Sequence, residues 1–425
     1  MSKVEELIRE YCPNGVQYKK VKDVYTRLKG TPITAAKMKE ISNDDGEIRI
    51  FAGGKTVINA KEEDIPNANI TRVPAVLVQS RGVIDAVYYD KPFTFKNEMW
   101  AYTHDHKVSV KFLYYVLKNN INSFRDAASG MGSLPQISLP VTEEFVMPVP
   151  PLEVQREIVK VLDNFTELTA ELTAELTARK KQYEYYRDKL LNFDLYGGAK
   201  IEYKLLGDIA IDIYRGSGIT RDQVTESGTP CVRYGEIYTT YNTWFDECVS
   251  HTNADDIQNK KYFEYGDILF AITGESVEDI AKSCAYVGHD KCLAGGDIVV
   301  LKHKQNPKYL AYALSTTNAR MQKSKGKIKS KVVHSSVPDI SRIVVPIPPM
   351  DVQERIANVL DNFDAICSDL NIGLPAEIEA REKQYEFFRE KLLTFDIKVC
   401  DNLLDRQTDR QTDRQTDRQT DRQTP

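Results

Sequence analysis

Lys323 to Lys331 reads K-S-K-G-K-I-K-S-K, with an ammonium group at every second position. An extended ribbon of that spacing lines up positive charge along a phosphate backbone. It sits in a longer stretch, Lys302–His334, that carries nine Lys/Arg and no acid. The corresponding stretch of the first half, Ser129-Gly-Met-Gly-Ser-Leu-Pro-Gln, is not basic. Its small polar residues, Ser133 and Gln136 among them, suit close approach to a backbone or a base edge. Gln79, Ser80 and Arg81, and in the second half Arg233, Tyr234 and Glu236, lie at or beside predicted strand ends. Arg forks onto guanine and Gln onto adenine in the major groove.

Catalytic chemistry is poorly represented. Gly53-Gly-Lys-Thr imitates the end of a phosphate loop, but the first Gly of that motif would fall on Arg49, so a turn is the expectation. His104-Asp105-His106 has two ligand types without a third and fourth at metal spacing, which suits a solvated loop. The Pro-Pro pairs follow Val and Ile, not the Asp or Asn of an amino-methyltransferase tetrapeptide. No nucleophile elbow or HExxH occurs. The seven Cys are scattered and odd in number, as in a protein of reduced thiols. The first residues, MSKVEELIREYC, carry no apolar signal region, and no apolar run reaches a membrane span, so a cytoplasmic protein is expected.

The elements that must position these residues come in two copies. Pro148–Phe165, PVPPLEVQREIVKVLDNF, returns as Pro346–Phe363, PIPPMDVQERIANVLDNF. Lys181–Asp194, KQYEYYRDKLLNFD, returns as Lys383–Asp396, KQYEFFREKLLTFD. Each Pro-x-Pro-Pro is expected to end a lobe, since proline neither continues a strand nor sits inside a helix. Ile158, Phe165, Leu172 and Tyr186 share one heptad position, with Leu162, Leu176, Tyr183 and Leu190 four places on. No Gly or Pro falls between Leu152 and Gly197, so about 43 residues can run as one helix, roughly 65 Å long. In the second copy Gly373 and Pro375 predict a break. Its Gln353 and Gln384 are 31 apart against 27 for Gln155 and Gln182, a difference of one tetrad. The first copy holds such tetrads in Thr166–Ala178, TELTAELTAELTA.

Both lobes read as mixed α/β (α+β). Ala75-Val-Leu-Val-Gln, Gly82–Tyr89, Asp267–Ile272 and Asp297–Leu301 are predicted strands, and Lys111–Leu117 and Lys308–Leu314 predicted helices. The overall charge is −5, yet the lobes are slightly basic, +2 over 1–147 and +1 over 200–346. The acidity lies on the helical regions, −2 over 148–195 and −5 over 347–400, so the global balance does not exclude DNA. Asp405–Thr424 is five copies of DRQT, a tail without apolar residues that is expected to stay unfolded. A repeat of four residues is what a four-base DNA repeat encodes, which suggests a phase-variable gene end.

PxPPLxxQxxI at Pro148–Ile158 and its second copy, the two KQYE blocks and the TAEL units at Thr169–Leu176 together resemble the specificity (S) subunit of type I restriction–modification enzymes, over about Tyr18–Lys398. The resemblance implies two target-recognition domains (1–147 and 197–345), each reading half of a split site on double-stranded DNA. It implies spacer helix regions at 148–196 and 346–398, paired as long antiparallel coiled-coil helices in a pseudo-two-fold repeat, followed by the tail 399–425. Two methyltransferase (M) subunits would dock on those helices, and restriction (R) subunits through them. Candidate spacer and docking residues are Gln155, Ile158, Leu162, Phe165, Leu172, Leu176 and Tyr183, with Gln353, Ile356, Leu360, Phe363 and Tyr385. Candidate DNA contacts are Gln79, Ser80, Arg81, Ser133, Gln136, Arg233, Tyr234, Lys323, Lys325, Lys327, Lys329 and Lys331. The chain would be non-catalytic and hold no cofactor or metal, with S-adenosylmethionine, ATP and Mg on the partners. A stand-alone DNA-binding adaptor and a coiled-coil scaffold are the alternative readings.

Overall fold

The computed structural model describes residues 3–54, 56–129, 134–193, 201–325, 327, 332–368 and 373–395. The chain divides into two compact units, Met1–Ala170 with Ala380–Pro425, and Glu171–Glu379. The DRQT tail lies outside the described residues.

In the first unit, Ala75–Gln79 is the central strand and all five of its residues are buried. Such a strand has two apolar faces, and the alternation is visible. Val76 and Val78 pack with Val110, Leu113 and Tyr102 under the helix Lys107–Asn119. Ala75 and Leu77 pack the other way, with Phe93, Phe95 and Ala101. The four-stranded antiparallel sheet runs Thr26–Leu28, Trp100–Thr103, Ala75–Gln79, Asp85–Tyr89. A three-stranded sheet of Val57–Ala60, Ile48–Phe51 and Phe93–Phe95 lies beyond it.

The second unit repeats the plan with more strands. Its first five-stranded sheet is ordered Ala210–Arg215, Ile298–His303, Ile268–Ala271, Ser283–Tyr286, Trp244–Phe245. Val299 and Leu301 face the helix Pro307–Ser315, and Ile298 and Val300 face the second sheet's cluster of Phe263, Cys292 and Ala294. All four predicted strands and both predicted lobe helices are present. The six described cysteines are free thiols.

One expectation fails. Pro148 and Pro346 lie inside strands, Val146–Val149 and Val344–Ile347, where they face Tyr18 and Tyr203. Each ladder has only two strands, so both are edges and a missing N–H is tolerated there. The strand closes the lobe onto its own entry segment, and the helix starts directly after the last proline. That helix runs unbroken from Leu152 to Leu190. Threonine hydroxyls of its tetrads bond back to the preceding turn, Thr169 to Phe165 O at 2.9 Å and Thr177 to Thr173 O at 2.9 Å. The second region is two helices, Met350–Ser368 and Leu374–Leu393, parted where Gly373 and Pro375 required.

Candidate nucleic-acid interface

Each lobe is fastened by helix segments from both repeats. In the first unit Ile158, Leu162 and Leu393 enter the lobe core, and Phe165 stacks on Phe388 at 5.4 Å. In the second, Leu191, Leu360 and Tyr183 do so, and Tyr186 meets Phe363 at 6.1 Å. The VLDNF motif carries the polar half of the attachment. Asp163 accepts from Lys111 Nζ at 2.7 Å and Tyr115 OH at 2.5 Å. Asp361 accepts from Lys308 Nζ at 2.8 Å, Tyr312 OH at 2.7 Å and Trp244 Nε1 at 2.8 Å. Desolvation, with the adjacent carboxylate, drives both tyrosine pKa values far up, so the phenols stay donors.

This revises the expected docking set. Gln155, Ile158, Leu162, Tyr183, Gln353 and Leu360 are buried, and Phe165, Leu172, Leu176, Ile356, Phe363 and Tyr385 half-buried. The motif glutamines close the turn after the prolines, Gln155 Nε2 donating to Pro150 O and Gln353 Nε2 to Pro348 O, both at 2.8 Å. They bind the chain to itself. Of the exposed aromatic residues at matched positions of the KQYE blocks, Tyr185 (60% exposed) and Phe387 (62%) are the most exposed. Heptad counting missed them because they lie off the inward stripe.

The candidate DNA contacts separate sharply. Gln79 is buried and donates to Gly54 O at 2.9 Å, and Ser80 is fully buried with its hydroxyl on Glu98 O. Neither side chain is free to read a base, so both are supports. Arg81 and Gln136 are exposed and brought together as an antiparallel bridge pair. Behind them Ile137 N donates to Ser80 O at 2.9 Å, and Gly82 N to Pro135 O at 2.9 Å. A cavity of about 520 Å³ here is lined by Gly53, Gly54, Arg81, Gly82 and Lys96, and the second unit holds one of about 560 Å³. Gly54 and Gly82 hold φ of 71° and 79°, the left-handed region that favours glycine at both positions. Ser133 lies outside the described residues.

In the second lobe Arg233 donates Nε to Glu236 at 3.0 Å, and the buried Glu236 also accepts from Ser250 Oγ at 2.6 Å. Glu236 is thus a structural acceptor rather than a base reader. Tyr234 is exposed. His104 and His106 stack at 5.6 Å, and no group of three metal-ligating side chains occurs among the described residues.

The lysine ribbon is corrected most. Lys323 belongs to the helix Thr317–Ser324, is 6% exposed, and donates to Ser283 Oγ at 3.1 Å and Leu314 O at 2.9 Å. Alternation of Lys with Ser disguised a helical position whose ammonium turns inward. Lys327 is held by Asp339 at 2.8 Å, Lys302 by Glu264 and Asp267, and Lys308 by Asp361, so acids distant in sequence neutralise much of the run. Lys325 is exposed, and Lys329 and Lys331 lie outside the described residues.

Burial lowers the Lys323 pKa from 10.5 to about 7. Between those values the unfolded chain binds more protons than the folded one, so this residue's penalty grows as pH falls. Lys323→Met should therefore stabilise the second unit, on the order of 2 kcal/mol at pH 6 after the lost hydrogen bonds are counted. The gain should vanish above pH 10, and DNA affinity should not change. Thermal melts at both pH values and one binding isotherm check this.

The two units thus repeat one plan, a lobe of sheet and helix clasped by segments of the repeated helices. The profile described as "Type I restriction modification DNA specificity domain" matches residues 13–179 and 200–380, and the chain belongs to that family of specificity subunits, the non-catalytic DNA-recognition components of their systems. It is 30% identical to the EcoR124I/EcoR124II specificity subunit of Escherichia coli over 309 residues, covering 68% of this chain and 72% of that one. It is 26% identical to the MpnII specificity subunit of Mycoplasma pneumoniae, covering 62% and 92%. The fold is shared with the S subunit of a type I system from M. genitalium (TM-score 0.53, 16% identity, 89% of this chain and 97% of that one). It is also shared with a chain from a study of type I system assembly and conformational transition (TM-score 0.55, 15% identity, 89% and 98%). Among the described residues no helix is long and apolar enough to cross a membrane.

Proposed function

We propose that this chain reads a two-part target on duplex DNA, one half per lobe, and docks two methyltransferase subunits on its repeated helix segments. Restriction subunits join through them, and the assembly works in the cytoplasm. In this reading S-adenosylmethionine, ATP and Mg bind to the partner subunits, and this chain contributes recognition and spacing alone. The observation that carries it is the duplication of the lobe attachment itself, Asp163 with Lys111 and Tyr115 and Asp361 with Lys308 and Tyr312. Two copies of one attachment suit two copies of one recognition step.

The helix between the repeats then acts as a ruler. Four residues add ~6 Å and a net ~40° of rotation, against ~3.4 Å and ~35° per base pair of duplex, so it is the rotation that matches one base pair. Deleting Thr173–Leu176 should preserve both half-sites and shorten the unspecified spacer by about one base pair. The partner in this reading is an adenine methyltransferase, so sequencing of methylated adenines in cells carrying this variant with that partner reads the outcome. A changed half-site with an unchanged spacer would overturn the ruler.

A further inference from the structure

We infer that Thr273 and His334 form the base-contacting lip of the second lobe, the counterpart of Arg81 and Gln136 in the first. The inference rests on the proposed reading of a two-part DNA target. The residues are far apart in sequence and no composition signal joins them; the backbone does. In the first lobe the buried strand Ala75–Gln79 ends, Ile137 N donates to Ser80 O at 2.9 Å, and one step outward Arg81 faces Gln136. In the second the buried strand Ile268–Ala271 ends, Ser335 N donates to Ile272 O at 2.8 Å, and one step outward Thr273 faces His334.

The flanks agree as well. Two residues after Ile137 and Ser335 come the short helices Leu139–Glu143 and Val337–Ser341, each with Pro in its first turn. A glycine follows each lip, at Gly82 because φ is 79°, and at Gly274 because a side chain there would come within 2.8 Å of Tyr238 OH. The inner residues of both bridges, Ser80, Ile137, Ile272 and Ser335, are buried. The outer ones, Arg81, Gln136 and His334, are exposed, and Thr273 is partly so. Each lip is thus a pair of polar side chains raised on a rigid, buried brace, the placement that fixed-geometry recognition requires.

The backbone is shared and the side chains are not. That is what one device needs in order to read two different half-sites. Arg81 and Gln136 suit forked contacts to guanine and adenine. Thr273 offers a hydroxyl and a methyl, the latter complementary to the thymine methyl group. Its Oγ1 lies 3.2 Å from His334 Nδ1, which orients the imidazole. Glu275 and Glu278 follow on the same loop, so this lip is not built to hold phosphate. Its substitution should change sequence preference, with the salt dependence of binding preserved.

The test uses the full chain co-expressed with its methyltransferase, with genome-wide sequencing of methylated adenines. Arg81→Ala/Gln136→Ala should relax one half-site, and Thr273→Ala/His334→Ala the other, by roughly 5- to 100-fold at one or two positions, as expected for loss of a base contact. The milder Thr273→Ser and His334→Gln variants should alter the same half-site, which guards against a folding defect in the alanine pair. If the wild-type complex methylates a two-part motif and all second-lip variants leave both halves unchanged, the inference is wrong and the underlying reading stands. If the wild-type complex yields no two-part motif, the underlying reading fails and the inference with it.

Discussion

Asp361→Ala should loosen the second lobe from its helices and cost about 3 kcal/mol, the range for removing one member of a partly buried ionic network. The carboxylate takes three donors at 2.7–2.8 Å from two different elements: Trp244 on an edge strand, and Lys308 and Tyr312 on the lobe helix. Lys308 also stands 3.5 Å from the centre of the Trp244 ring, so the four side chains form one closed cluster. Alanine leaves a cation, a phenol and an indole N–H with no acceptor, and the cost of stranded donors exceeds the worth of the bonds themselves. For a unit of this size the loss corresponds to a melting-point drop of roughly 6–12 °C. Asp163→Ala, with two donors in place of three, should cost less. Differential scanning calorimetry of the two variants separates the outcomes. A loss under 1 kcal/mol for Asp361→Ala would show that the apolar contacts of Leu360 and Tyr183 alone hold the lobe.

Replacing Tyr185 and Phe387 together by Asp should abolish co-purification with the methyltransferase while leaving the melting curve unchanged. Both are large aromatic residues more than half exposed, and both occupy the same place in the repeated KQYE block. Nothing in the fold needs them exposed, since their neighbours Tyr183 and Tyr385 already supply the contact to the lobe cores. Aromatic anchors at the centre of an interface are worth 2 kcal/mol or more each, so each lost anchor should weaken its site by at least about 30-fold. Two matched sites suit two copies of one partner. Retention of a stoichiometric complex by the double variant, measured by analytical size-exclusion chromatography, would rule these positions out.

The duplication, the 39-residue helix and the break before Pro375 were legible because each depends on local rules: heptad apolar spacing, absence of Gly and Pro, and proline's missing N–H. The strands were legible for the same reason. The candidate site was legible only in part. Arg81 and Gln136 were found by residue type, but their juxtaposition depends on a bridge between positions 55 apart in sequence. Gln79 and Ser80 share Arg81's signal yet are buried, because the strand is covered on both faces and the Gly54 and Glu98 carbonyls take their donors. Lys323 misled because charge counting cannot see that position 323 turns into a core beside Phe270. Pro148 misled because the rule against proline in strands applies to central strands, and this one has a single neighbour. Thr273 and His334 carried no sequence signal at all. Their significance appears only when the two lobes are compared bridge for bridge.

On the proposed reading, one chain supplies two half-site readers to a methyltransferase that has no specificity of its own. Single-molecule sequencing of methylated adenines measures this directly in cells expressing the methyltransferase alone, or with this chain. The methyltransferase alone should yield no motif. With this chain, methylation should fall at a motif of two specified halves separated by a fixed unspecified gap. An uninterrupted motif, or the same motif without this chain, would contradict that reading.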